Sequence, residues 1–234
     1  MNPLITLEHL SAAYDGVPVL HDVCLTIGER DFLGVIGPNG GGKTTLMKLV
    51  LGLMTPSSGA VRYFRDGQPV SSIRMGYLPQ YSSIDRKFPI SVREVVQSGL
   101  GSEVGIFGRY TSAQCDVVAQ TIHRVGLEGL EHRSLGELSG GQLQRALIGR
   151  ALVSKPDVVV LDEPTTYLDR HFEAGLYELL AEVNRQCAVI LVSHDIASVL
   201  RSASSIACVN GTLHYQPSAS AVTTEWIGKH FEEH

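Results

Sequence analysis

The sequence predicts an α/β fold in three parts: a parallel-sheet core, an antiparallel β subdomain near the N-terminus, and an α-helical subdomain inserted in the middle. Three observations predict it. Asp31–Ile36 is an apolar run that ends in glycines and is followed by the Leu-, Met- and Lys-rich stretch Lys43–Leu51, which reads as strand, tight turn and helix. Alternation returns late, with strands at Asp157–Leu161 and Ala188–Val192 separated by a helix at Phe172–Arg185 and followed by a short one at Asp195–Arg201. Strands separated by helices imply a parallel sheet covered on both faces. Between these halves, from about Ser82 to Glu137, strand signals are sparse.

The early strands differ from those of the core. Leu4–Leu7, Val23–Ile27 and Val61–Phe64 are short, partly alternating and joined by turns such as Asp66-Gly67, so they read as antiparallel. In the middle, Val92–Leu100 and Ala113–Val125 have helical spacing, and Gly99–Tyr110 reads as a loop between them.

The 234 residues suffice for a well-filled core. An apolar share of 44% against 18% charged excludes a disordered chain. A net charge of -5 gives no electrostatic reason to expect a nucleic-acid partner. Mean hydropathy of +0.09 is slightly high, which strands buried on both faces or a partner-binding surface would explain. The longest apolar strand, Cys187–Val192, falls far short of the roughly 20 residues that cross a bilayer. The N-terminus has no basic start followed by an apolar run, so no secretory signal is expected. Cys24, Cys115, Cys187 and Cys208 form no C-x-x-C pair and read as reduced core thiols. The nine histidines form no metal-ligand spacing. His230 and His234, four apart on a possible tail helix near Glu232 and Glu233, are a weak metal candidate against a solvated tail.

Chemistry concentrates at four places. Gly37-Pro38-Asn39-Gly40-Gly41-Gly42-Lys43-Thr44 fits G-x-x-x-x-G-K-[ST], between an expected strand and helix. Its glycines let backbone N–H groups turn around phosphate oxygens, and the helix adds its positive end. Lys43 would reach the β- and γ-phosphates, and Thr44 would offer a hydroxyl to Mg²⁺; Thr45 completes the candidate nucleotide contacts. Val158–Leu161 would deliver Asp162 and Glu163 to a strand's C-terminal end, where α/β sheets bind ligands. Asp162 is the candidate Mg²⁺ ligand and Glu163 the candidate general base. Leu138-Ser139-Gly140-Gly141-Gln142 is a Gly-rich turn opening a helix that runs to Val153, a second anion site on the same chain. One nucleotide does not need two such sites, which points to a head-to-tail dimer. A helix cap without ligand is the plain alternative for that pentapeptide alone.

Taken together these segments resemble the nucleotide-binding subunits of ABC transporters, over residues 3 to 215. Leu138–Gln142 matches the family's signature pentapeptide, so Ser139, Gly140, Gly141 and Gln142 are implied nucleotide contacts. Tyr14 matches the aromatic that stacks on adenine. Gln80 matches the glutamine that contacts Mg²⁺ and the attacking water. Asp169, in Thr166–Asp169, matches an aspartate loop at the dimer interface, and His194 the switch histidine at the γ-phosphate. Gly41, Thr44 and the bulky Tyr167 depart from commoner choices, the last affecting the packing of its loop more than its role. The resemblance implies a P-loop, RecA-like core (1–81 and 150–215) carrying the β subdomain, a helical subdomain with the signature (82–149) and a tail (216–234): the ABC ATPase fold. It implies ATP and Mg²⁺, a homodimer, integral-membrane permease subunits engaged through coupling helices, an extracytoplasmic substrate-binding protein, and a peripheral place on the cytoplasmic face of the membrane.

Tyr77–Val96, with an Asp and a Phe-Pro-Ile-Ser-Val element after the glutamine loop, is similar to the ATPases of bacterial zinc and manganese importers. Thr165–Asp169 is similar to ATPases of iron-siderophore and cobalamin importers. Among soluble relatives, DNA-repair members need heptads and translation members two units, neither of which is present, while the iron–sulfur cluster-assembly type stays open. A P-loop kinase would leave Leu138–Gln142, Gln80 and His194 without a role.

Overall fold

The computed structural model describes residues 2–80, 88–101, 109–165 and 170–231. Asp169 and Tyr167, the segment 81–87, and Glu232, Glu233 and His234 lie outside the described residues.

Two sheets carry the fold. In order across the larger one lie β10 (Thr212–Gln216), β9 (Ser205–Asn210), β3 (Phe32–Ile36), β8 (Ala188–Val192), β7 (Val158–Asp162) and β6 (Met75–Leu78). All its pairings are parallel except β10 on β9. Every residue of β3, β7 and β8 is buried, as expected where helices or another sheet cover both faces. Because strand side chains alternate, the sheet feeds two cores. Leu33, Val35, Val158, Val160, Ile190 and Val192 point to one, shared with α1 (Lys43–Val50) and the smaller sheet. Phe32, Ile36, Val159, Leu161, Val189 and Leu191 point to the other, shared with the remaining helices.

The smaller sheet is antiparallel, in the order β2 (Val17–Gly28), β1 (Pro3–Tyr14), β4 (Ser58–Arg65), β5 (Gln68–Val70). Its first two strands are 12 residues each, far longer than the short strands expected, because bulges interrupt the alternation on which that reading relied.

α2 (Val92–Ser98), α3 (Ser112–Arg124) and α4 (Gly140–Leu152) pack on one another as the helical group. Each begins with a capping box: Ser91 with Glu94, Thr111 with Gln114, and Ser139 with Gln142. α5 (Arg170–Asn184) and α6 (Ile196–Ser202) flank β8.

The C-terminal segment corrects the expectation of a solvated tail. α7 (Thr224–Phe231) lays Trp226, Ile227 and Phe231 against the larger core. Asn210 Nδ2 donates to the Phe231 carbonyl at 3.3 Å, and the His230 ring stacks on that of His214 with centroids 3.9 Å apart.

The thiols also divide. Cys187 and Cys208 are core residues, and burial pushes each thiol up to about 11. Cys24 is exposed and Cys115 half-buried, so the reading of core thiols fails for Cys24. Alternation explains it: Val23 and Leu25 face inward, which turns Cys24 out.

Candidate functional site

The C-terminal ends of β3 and β7 lie on the same edge of the sheet, so the turns that follow them meet. The turn after β3 is held open by glycine. Gly37 has φ +147°, and a Cβ there would lie 2.1 Å from the Val209 carbonyl oxygen. Gly42, with φ +99°, is the N-cap of α1 and has no side chain to cap it. Gly211 N–H donates to the Gly41 carbonyl at 3.0 Å, tying the loop to the β9–β10 turn. The result is a run of backbone N–H groups and a helix start facing a cavity.

That cavity, of about 260 Å³, is lined by Val19, Asn39, Gly40, Gly42, Lys43, Thr44, Thr45, Gln80, Asp162 and Glu163. The structure therefore brings the Gly-rich loop, the glutamine and the paired carboxylates to one place across more than a hundred residues. Lys43 Nζ donates to the carbonyls of Gly37 (2.9 Å) and Pro38 (2.8 Å). Burial pushes the Lys43 ammonium below its ordinary range, opposed by the Glu163 and Asp162 carboxylates. Burial likewise pushes Asp162 up, opposed by the Thr44 hydroxyl, which donates to its Oδ2 at 3.3 Å. The Thr44 hydroxyl and the buried Asp162 carboxylate meet here and Gln80 lines the same cavity, so the oxygen donors present fit a hard cation such as Mg²⁺.

Glu163 leaves the strand with φ 52°, an unusual backbone for a glutamate, and its N–H donates to the Val192 carbonyl at 2.9 Å. Its side chain is 15% exposed, and His194 Nδ1, on a side chain 63% exposed, stands 3.3 Å from its Oε2. His194 thus joins the site through Glu163, from the end of β8.

Two expected contacts lie apart. Tyr14 is 43% exposed and does not line the cavity; Lys48 Nζ stands 5.8 Å from its ring centroid. Nor do Ser139 to Gln142 line it. Ser139 is the N-cap of α4: its Oγ accepts from the Gln142 N–H at 3.2 Å, and its own N–H donates to Gln142 Oε1 at 3.0 Å. The helix-cap reading of the pentapeptide is thereby met within one chain.

Two residues escaped the sequence reading. Buried Gln144, on α4, donates through Nε2 to the Pro164 carbonyl at 2.6 Å and so links the helix after the signature to the turn that bears Glu163. Its signal in the sequence is a polar residue inside an apolar helical stretch. Val19, a cavity wall from β2, has no signal of its own.

A phosphate cradle, a buried lysine, an oxygen donor set and a poised carboxylate at one edge of a parallel sheet define a P-loop ATPase site. Residues 20–166 match the ABC transporter family. The chain belongs to that family and is an ABC-type ATP hydrolase. It is 36% identical to the zinc uptake system ATP-binding protein ZurA of Listeria innocua over 94% of this chain and 87% of that one. It is 32% identical to the zinc import ATP-binding protein ZnuC of Hydrogenovibrio crunogenus, over 99% and 90%. Among solved structures, an ABC transporter of the metal-chelate type in an inward-facing conformation superposes with a TM-score of 0.86 at 26% identity, covering 96% of this chain and 87% of that one. No described helix is long and apolar enough to cross a membrane.

Proposed function

We propose that this chain powers import of a divalent metal ion, zinc or manganese or alternatively iron, through a membrane partner. The observation that carries the motor half is the convergence of Lys43, Thr44, Asp162 and Glu163 on one cavity. The cargo is argued from the two relatives named for zinc uptake and zinc import.

In this reading the backbone N–H groups of Gly37, Asn39, Gly40, Gly41 and Gly42 cradle the phosphates, Pro38 shapes the turn without an N–H to offer, and Lys43 turns its ammonium from the loop carbonyls to the β- and γ-phosphates. Thr44, Asp162 and Gln80 would hold Mg²⁺, which would supply positive charge to offset that of the phosphates. Glu163 takes the proton of the attacking water, and His194 beside it faces the γ-phosphate. Thr45 completes the loop's contacts, and Tyr14 stacks on adenine. The division into core (1–81 and 150–215), helical subdomain (82–149) and C-terminal segment (216–234) assigns phosphate chemistry to the core and the signature to the helices.

Because Ser139, Gly140, Gly141 and Gln142 stand away from their own cavity, a second copy presents them to the nucleotide in a head-to-tail homodimer, with Asp169 at the interface. Contacts made only in the closed dimer supply the energy that shifts the equilibrium. The permease docks through coupling helices. A groove of about 980 Å³, lined by Leu51, Tyr63, Ile73, Arg74, Gly99 and Ser154, suits such a partner, as do exposed Leu53 and Phe88. The complex is peripheral on the cytoplasmic face, works with an extracytoplasmic binding protein and needs no nucleic acid.

A second reading, import of an iron-siderophore or cobalamin, is favoured by the likeness to the metal-chelate type transporter. One experiment separates them. Cells lacking redundant uptake routes carry either the natural chain or Lys43→Ala and are grown under metal limitation, and their elements are measured. A selective fall in free-ion zinc, manganese or iron uptake in the variant supports the first reading. Normal ion contents with lost growth on a chelate support the second. Unchanged uptake of both leaves neither standing.

A further inference from the structure

The smaller sheet holds a cluster that no part of the ATPase site uses. A side-chain ligand atom from each of His9, Asp22 and Cys24 lies within 4.8 Å of the others, and all three residues are exposed. The expectation that the histidines form no metal-ligand pattern is corrected here for His9. Its partners lie 13 and 15 residues away, on the neighbouring strand, where no linear spacing shows them.

The way the cluster is assembled argues that it is more than chance proximity. On β1, Leu7 and Leu10 are buried, so one extra residue stands outward between them: the chain bulges at Glu8-His9. On β2, Leu20 and Val23 are buried, and the chain bulges again at His21-Asp22. The register between these strands shifts on both sides of the Leu10–Val23 pair. His9 and Asp22 each adopt left-handed backbone, at φ 47° and 50°. Such a conformation is uncommon for residues other than glycine, and bulges re-aim side chains. The neighbouring strand adapts to the first bulge: a Cβ at Gly59 would lie 2.3 Å from the His9 carbonyl oxygen. Cys24 follows Asp22 by two on the strand, so both face the same way. His9 Nδ1 stands 2.8 Å from Asp22 Oδ1, the His9 N–H donates to Cys24 Sγ at 3.3 Å, and the Asp22 N–H donates to Ser11 Oγ at 3.1 Å.

We propose that His9, Asp22 and Cys24 form a surface site for a borderline divalent cation of the zinc class. An imidazole nitrogen, a carboxylate oxygen and a thiolate sulfur are the donors that tetrahedral zinc takes, whereas magnesium and calcium prefer oxygen alone. Exposure leaves a fourth position for water. The Nδ1–Oδ1 separation of 2.8 Å, now a hydrogen bond, widens as the two atoms turn to a shared ion. The site stands apart from the nucleotide cavity and does not rest on the import reading, since its metal is bound rather than carried.

Co²⁺ titrated into the reduced full-length chain is the test, because cobalt bound to thiolate shows a charge-transfer absorption that oxygen ligands at the phosphate site do not. The expected result is one equivalent with that absorption, displaced by Zn²⁺. Cys24→Ala abolishes it, His9→Ala and Asp22→Ala weaken cobalt affinity by at least about tenfold, and Cys115→Ala leaves it intact. Nucleotide binding, unchanged in each variant, shows that the fold survives. No thiolate absorption in the natural chain, absorption that persists in Cys24→Ala, or full affinity in His9→Ala would each overturn the proposal.

Discussion

Glu163 illustrates how one residue is prepared by its neighbours. Its left-handed backbone is held by the N–H bond to the Val192 carbonyl, and its carboxylate is mostly buried beside His194. Glu163→Gln keeps the shape and removes the proposed base. Nucleotide binding should persist while steady-state turnover falls by about 10²- to 10⁴-fold, as a phosphate-release assay would show. The thiols give a second prediction at this scale. Cys187 and Cys208 are buried and pushed up to about 11, so at neutral pH they carry almost no thiolate. Mass spectrometry after brief iodoacetamide treatment should find Cys24 alkylated well before either. Most residues that line the cavity were legible in the sequence because their motifs are local: Asn39–Thr45 and Asp162-Glu163 are each contiguous in the chain. The partners of His9 were not, because bulges on two strands create that meeting.

At the scale of elements, the parallel strands were read closely because full burial leaves an unbroken apolar run. Expected Ala188–Val192 is β8 residue for residue. β9 was missed although all six of its residues are buried, because polar Ser205 and Asn210 at its ends leave an apolar run of only four residues. β6 has only four residues, one of them Gly76. That glycine carries a packing consequence. A Cβ on it would lie 2.1 Å from the backbone oxygen of Ala151, at the end of α4, where no flexible side chain can move aside. Gly76→Ala should therefore destabilise the fold by about 1–3 kcal/mol, read as a lower urea midpoint. Since β6 leads directly to Gln80, nucleotide affinity should fall with it. The helical segments were also readable, but their cause is clearer in three dimensions: capping boxes at Ser91, Thr111 and Ser139 set where each starts.

The whole molecule places the Gly37–Thr44 loop and the Ser139–Gln142 helix start apart. The cavity beside Lys43 has no wall from Ser139 to Gln142, which is what the proposed head-to-tail dimer requires. The sequence pointed to this through the presence of two such motifs; which faces meet lies beyond any linear pattern. The C-terminal helix shows the opposite limit. Its Trp226, Ile227 and Phe231 lie at helical spacing, yet a short segment at the chain end read as solvated, and only packing against the larger core reveals its place.

The central claim is that ATP joins two copies of this chain, P-loop to signature. Light scattering of Glu163→Gln with Mg-ATP tests it most directly, because blocked hydrolysis preserves the closed state. The account predicts a dimer mass that depends on ATP and reverts to monomer when Ser139→Arg is added, with ATP still bound. A monomer at saturating ATP, or an ATP-dependent dimer that survives Ser139→Arg, would contradict it.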